Sequence, residues 1–276
     1  MIPLDFITEW RAEAPWSMTS QVEQDLILSR AIVELFAAPR ISEALAFRGG
    51  TALYKLHIRP PARYSEDIDL VQVTPGPIGS LLDDIRGVLD PWLGTPKRVA
   101  HEGRVILTYR AAAEVLPPVP LRVKIEINSR EHFTVFGQDR RTFKVNSRWF
   151  TGEADVTTFQ LDELLGTKLR ALYQRSKGRD LFDLFTASRL AAVDLARVVA
   201  CFTRYIEHDG ARISRAEFEK NVHEKLADAT FLGDVEPLIA DGAAWDANAA
   251  ARFAMDVVAP LLTGDPWRGR RVKDGR

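Results

Sequence analysis

The chain contains one cysteine and three methionines in 276 residues, and it carries no excess of either charge. Each shortage excludes something. A lone Cys201 allows no intrachain disulfide and no cysteine-based zinc site, and between Val198, Val199 and Phe202 it reads as a small buried hydrophobe. Lysine and arginine number 37 against 38 aspartates and glutamates, for a net charge of −1. That balance excludes wholesale attraction to polyanions, but not a local basic path through Arg59, Arg63, Lys97, Arg98, Arg104, Arg110, Arg122 and Lys124, or through the basic residues between 168 and 179. No apolar run reaches the ~18 residues of a membrane span and no leader pattern is visible, so a cytoplasmic protein is expected. The five histidines, His57, His101 and His132 among them, form no ligand-spaced pair. Internal repeats and low-complexity tracts are absent too. What remains is an ordinary globular composition, 46% apolar and 27% charged, long enough for one large or two modest cores.

The most informative stretch runs from Phe47 to Leu70. Leu45, Ala46 and Phe47 are strand-like, Gly49 and Gly50 permit close backbone approaches, and Thr51 to Leu56 can open a helix. A strand, a Gly-Gly turn and a helix start aim free N–H groups at one spot, which suits an anion. Taken alone, the same turn also serves in ordinary connections. Asp67-Ile68-Asp69-Leu70-Val71 then reads as a strand whose two aspartates share one face, about 6.6 Å apart. Carboxylates held that close repel unless a cation, a proton or basic partners compensate them, and a divalent metal such as Mg²⁺ is the economical choice. The plainer reading is a solvated edge strand. Further on, Val123, Ile125 and Ile127 alternate with Arg122, Lys124, Glu126 and Asn128, the pattern of a strand with one buried side. Placed beside the aspartate strand, Glu126 would add a third carboxylate with Lys124 next to it.

Helices are expected near 20–36, where Ser20 to Glu23 resembles a capping box, and over 75–93. Strands are expected near 97–111, 120–130 and 141–150, with a stiff Pro117-Pro118-Val119-Pro120 turn between two of them. From Leu161 strand signals vanish, and helices are expected over 161–174, 179–190, 194–207, 214–226, 231–240 and 246–262, followed by a frayed basic tail from Thr263 to Arg276. Leu161, Leu164, Leu165, Leu169 and Leu172 give the first of these helices its apolar stripe. Lys168 lies off that stripe and by itself reads as a solvated lysine. Asp180 and Asp183 share a face of the next helix, either as N-terminal charges, as ion-pair partners for Lys168 and Arg175, or as catalytic groups.

Gly-Gly-Thr-Ala-Leu followed by Arg-Tyr-Ser-Glu-Asp-Ile-Asp-Leu resembles the first motif of the nucleotidyltransferase superfamily, in the form found in AbiEii/AbiGii-type toxins, a group that includes the MenT-type toxins. Val-Lys-Ile-Glu-Ile at 123–127, the helical Lys168-Leu169-Arg170-Ala171 and Arg179-Asp180-Leu181-Phe182-Asp183-Leu184 resemble the family's later motifs, in order, so that the likeness spans roughly Phe47 to Phe185. The resemblance implies an α/β fold: a mixed sheet with flanking helices over residues 1–158, and a helical lobe over 159–276 that completes an active-site cleft. It implies that Asp67 and Asp69 hold Mg²⁺, with Glu126 as a further metal ligand or base. Gly49, Gly50, Thr51 and Ser65 are implied at the NTP, and Lys168 and Asp180 in roles that neutralise phosphate and position substrate. Thr follows Gly50 where many superfamily members have Gly-Ser, which keeps a hydroxyl.

The implied activity is transfer of NMP from an NTP to an RNA acceptor, with the tRNA 3′ end leading, which blocks translation and growth unless a cognate antitoxin is present. Three other readings stay open: a small-molecule nucleotidyltransferase of the aminoglycoside-modifying kind, a non-catalytic nucleotide-binding module, and a metal-dependent nuclease. Phosphate on Thr51 would put negative charge where the nucleotide's own phosphates sit, and would inhibit.

Overall fold

In the computed structural model, residues 2–114 and 119–269 are described. The Pro117-Pro118 part of the expected stiff turn and the tail from residue 270 lie outside them. The chain divides into two compact units, residues 1–160 with 238–243, and residues 161–237 with 244–276.

The first unit is built on a seven-stranded sheet in the order β3-β4-β5-β2-β1-β7-β6. Its strands are β1 (Leu45–Arg48), β2 (Asp67–Gln72), β3 (Lys97–His101), β4 (Arg104–Ala112), β5 (Pro120–Asn128), β6 (Gln138–Asn146) and β7 (Thr151–Phe159). β1 runs antiparallel to β2 and parallel to β7, and β2 runs parallel to β5, so the sheet is mixed, as expected. Burial alternates along the strands. Ile68 and Leu70 of β2, Leu107 of β4, and Val123, Ile125 and Ile127 of β5 enter the core, which puts Asp67, Asp69, Lys124 and Glu126 together on the opposite face.

Helix α1 (Leu4–Trp10), α2 (Thr19–Ala37), α3 (Pro39–Ala44) and α5 (Gly79–Leu93) belong to this unit. Fourteen of the nineteen α2 residues are buried, and its buried polar groups are satisfied from several directions. Asp25 accepts from Trp10 Nε1 at 2.8 Å, from Trp16 Nε1 at 3.2 Å and from Lys55 Nζ at 2.6 Å, while Gln24 donates to the Arg122 carbonyl at 2.7 Å. The expected capping box is not used. α2 begins at Thr19 behind Met18, which gives no side-chain cap, and Glu23 accepts the Glu114 N–H instead. The single strand expected over 97–111 is a hairpin, since Gly103 at φ +68° reverses the chain between β3 and β4. The strand expected at 141–150 is the end of β6 and the turn after it, in which Phe150 N donates to Ser147 Oγ before β7 starts at Thr151.

The second unit is helical: α6 (Leu161–Gln174), α7 (Gly178–Leu190), α8 (Leu195–His208), α9 (Arg215–Leu226), α10 (Ala229–Gly233) and α11 (Ala247–Arg252), the last continued to Leu261 by π and 3₁₀ turns. Gly166 lets α6 and α8 close on each other, since a Cβ there would lie 2.4 Å from Cys201 Cβ. Cys201 is fully buried, as expected. The helix expected over 231–240 is replaced by α10, a 3₁₀ turn at Glu236–Leu238, and a segment that leaves this unit to bridge Arg63 through Ile239.

Among the described residues no helix is long and apolar enough to cross a membrane.

Candidate active site

Strand register assembles the first cluster. Asp67 is level with Lys124 and Asp69 with Glu126 on parallel β5, while on β1 Asp69 is level with Arg48. One row across the sheet therefore reads Glu126, Asp69, Arg48. Lys124 Nζ lies 3.2 Å from Asp67 Oδ2 and 3.0 Å from Glu126 Oε2, and Arg104 Nη1 lies 3.2 Å from Glu126 Oε1. Partial burial pulls the Lys124 ammonium down, but the Asp67 and Glu126 carboxylates outweigh it and hold its pKa above the usual lysine value. Arg48 is tied to Glu131, beyond the end of β5, at 2.5 Å.

The Gly-Gly turn sits against these acids. The short helix α4 (Gly49–Ala52) starts directly after β1 and runs on as a π turn to His57. Gly49 takes φ +83°, and a Cβ there would lie 2.1 Å from Asp69 Oδ2. A Cβ at Gly50 would lie 2.6 Å from Arg63 Nη2 and 3.0 Å from Ser65 Oγ. Both glycines are thus required by close approach, one of them to a carboxylate oxygen. Thr51, expected at the nucleotide, follows them. Its side chain is buried, donating to the Asp67 carbonyl at 2.5 Å and lying 2.9 Å from Ser65 Oγ, so it stitches α4 to the start of β2. Ser65 is half-buried.

The acids expected to hold Mg²⁺ offer hard carboxylate oxygens, the donor chemistry that ion prefers. Asp67 and Asp69 share a face and fit it. Glu126 is engaged by Lys124 and Arg104, and among the described residues no group of three or more acids, histidines or cysteines is placed to hold a metal ion.

The helical unit holds the second cluster. Lys168, expected from its position to be solvated, is buried between two fully buried aspartates, with Nζ 2.9 Å from Asp183 Oδ2 and 3.4 Å from Asp180 Oδ1. Arg175 adds two bonds to Asp180, from Nε at 2.8 Å and Nη2 at 2.9 Å. Two cations and two anions balance each other, as buried charges must. Gly178 admits this arrangement at the head of α7, because a Cβ there would lie 2.0 Å from the Phe231 carbonyl oxygen.

Arg48 and Glu131 escaped the sequence reading. Eighty-three residues separate them. Period-2 alternation from Ala46 does put Arg48 on the aspartate side of the sheet, but nothing around Glu131 marks it as a partner.

Residues 30–252 match the family described as the nucleotidyl transferase AbiEii toxin of a type IV toxin–antitoxin system. The chain belongs to this family. It is a nucleotidyltransferase, an enzyme that uses an NTP, and a toxin whose system implies an antitoxin partner. Among solved structures, the nucleotidyltransferase toxin MenT4 of Mycobacterium tuberculosis H37Rv is similar with a TM-score of 0.64 at 17% identity, covering 95% of this chain and 90% of that one. JHP933 of Helicobacter pylori is similar with a TM-score of 0.49 at 18% identity, covering 89% and 92%. No curated protein matches the sequence. The MenT4 likeness carries the fold, a mixed sheet with flanking helices. Membership of the AbiEii family carries the activity.

Proposed function

We propose that this AbiEii-family toxin transfers a nucleoside monophosphate from an NTP to the terminal hydroxyl of an RNA, with the tRNA 3′ end as acceptor, and thereby stops translation in the cytoplasm. The observation that supports this reading is the row Glu126, Asp69, Arg48, with the Gly49 backbone packed against Asp69. It joins a phosphate-sized turn to the acids.

In the reaction the acceptor oxygen forms a bond to the α-phosphorus of the NTP, the bond to the β-phosphate oxygen breaks, and pyrophosphate leaves. Asp67 and Asp69 are the residues that would hold Mg²⁺, which when bound supplies positive charge to the triphosphate. Gly49 and Gly50 would receive phosphate oxygens on their N–H groups. Glu126 would take the acceptor's proton on a carboxylate oxygen, with Lys124 and Arg104 fixing its direction. In the helical unit, the ion pairs among Lys168, Arg175, Asp180 and Asp183 would hold the end of α6 against the head of α7. Ser65, beside the turn, would contact the nucleotide through its hydroxyl.

The purified protein with Mg²⁺, total tRNA and each α-labelled NTP in turn tests the reading, with Asp69→Ala alongside. Label in tRNA with one NTP, lost in the variant, is the expected result. Label transferred only to a small acceptor such as an aminoglycoside would replace the RNA reading. Shortened RNA would indicate a nuclease, and NTP binding without turnover a binding module.

A further inference from the structure

Beside the reacting acids the same face of the sheet changes character. Beyond Asp67 and Asp69 it continues outward over β5, β4 and the edge strand β3, and its rows follow from register. Lys97 is level with Thr108, which is level with Lys124 and so with Asp67. The next row pairs Arg110 with Arg122 directly across β4 and β5. Both arginines point away from the core, since their neighbours Tyr109, Leu121 and Val123 are buried, and both are exposed, as is Lys97. Like charges directly opposite each other on one sheet face repel. Lys124 is compensated by Asp67 and Glu126, but among the described residues Lys97, Arg110 and Arg122 are engaged in no ion pair.

We propose that the outer face of β3, β4 and β5 is a phosphodiester track that carries the RNA acceptor toward Asp67 and Asp69, with Lys97, Arg110 and Arg122 contacting successive phosphates. This rests on the reading of RNA as acceptor. Rows spaced by roughly 4.8 Å between strands and 6.6 Å along them present charge as a strip, the form a nucleic-acid backbone matches. The side chains between the cations are Val99, Ile106 and Thr108. No aromatic ring lies on these rows, because Tyr109 faces the core. A protein interface would need aromatic anchors at its centre, and base readout would need rings to stack on. A strip of cations without either holds phosphates and ignores bases.

The test uses the full chain and two 20-nucleotide single-stranded probes, poly(U) and poly(A), with binding followed by fluorescence anisotropy between 50 and 300 mM KCl. Arg110→Gln/Arg122→Gln should weaken binding of both probes by roughly tenfold at the lowest salt and flatten the slope of log affinity against log salt by about 1.4, the loss of two single-strand phosphate contacts. Arg110→Lys/Arg122→Lys should keep most of that slope. NTP binding should not change, and the melting temperature of the glutamine variant should equal or exceed that of the parent, because a repulsive pair has been removed.

RNA affinity and salt slope equal to the parent's would overturn the track, even where the parent still labels tRNA. A parent that neither binds nor labels RNA would overturn the acceptor reading together with the track. Unchanged RNA binding with lost binding of an acidic protein would reassign the face to that partner.

Discussion

Gly49 is where backbone freedom and chemistry meet. It holds φ +83° and leaves no room for a Cβ beside Asp69 Oδ2. Alanine there would meet strain of about 1–2 kcal/mol from the left-handed backbone, and relief would come by moving the carboxylate that we propose holds the metal. We expect Gly49→Ala to lower turnover by roughly a hundredfold. Gly50→Ala meets no left-handed backbone, only the buried Arg63 guanidinium and the Ser65 hydroxyl, and should cost less turnover than Gly49→Ala. Steady-state transfer rates with melting curves decide this, and equal rates for Gly49→Ala and the parent would show that Asp69 is not held by the turn. Lys168 calls for a different argument. Removing it would leave Asp180 and Asp183 buried with one fewer cation, a change worth several kcal/mol of stability, so lost activity there would not by itself identify a catalytic group.

At the scale of elements, the parts governed by local pattern were legible in the sequence. β2 and β5 declare themselves by alternation, and α6 by its leucine stripe, so the shared face of Asp67 and Asp69 follows from period 2 alone. What was not legible depended on distant partners. Glu23 looked like a helix cap, yet α2 begins at Thr19 and Glu23 points inward to the Glu114 N–H. Lys168 by itself looked solvated, and only the spacing of Asp180 and Asp183 on α7 offered it ion-pair partners, a pairing that the structure makes.

The inward turn of Glu23 has a pH signature. Burial pushes its pKa from an ordinary 4.5 up to about 7. Between those values the folded state holds a proton that the unfolded state has released, so the stability this gives is full below about 4.5, declines as pH rises through 7, and is flat above. Glu23→Gln keeps an oxygen for the Glu114 N–H and removes the titration. The variant should match the parent's melting temperature near pH 4.5 and exceed it at pH 8. A constant difference between the two across that range would mean that Glu23 does not titrate there.

For the whole molecule, the chain order and the order of the folded units do not coincide. The sequence places a boundary near residue 158, where strands give way to helices, but residues 238–243 return to the first unit. They do so through backbone bonds that no side-chain pattern announces. Tyr64 N donates to the Leu238 carbonyl at 2.7 Å, Ala240 N to the Ala62 carbonyl at 3.0 Å, and Asp241 N to the Pro15 carbonyl at 3.1 Å, while Ala240 joins the buried core. At about 1 kcal/mol net for each bond, the fragment 1–160 should lose about 3 kcal/mol of stability, a large share of what a unit of this size possesses. It should melt well below a chain in which residues 236–245 are joined to residue 160 through a flexible Gly/Ser linker. Circular dichroism melts of the two make the comparison. Equal melting temperatures would mean that the returning segment rests on the first unit without holding it together, whereas the expected gap would make this segment a structural part of the fold that carries Asp67 and Asp69.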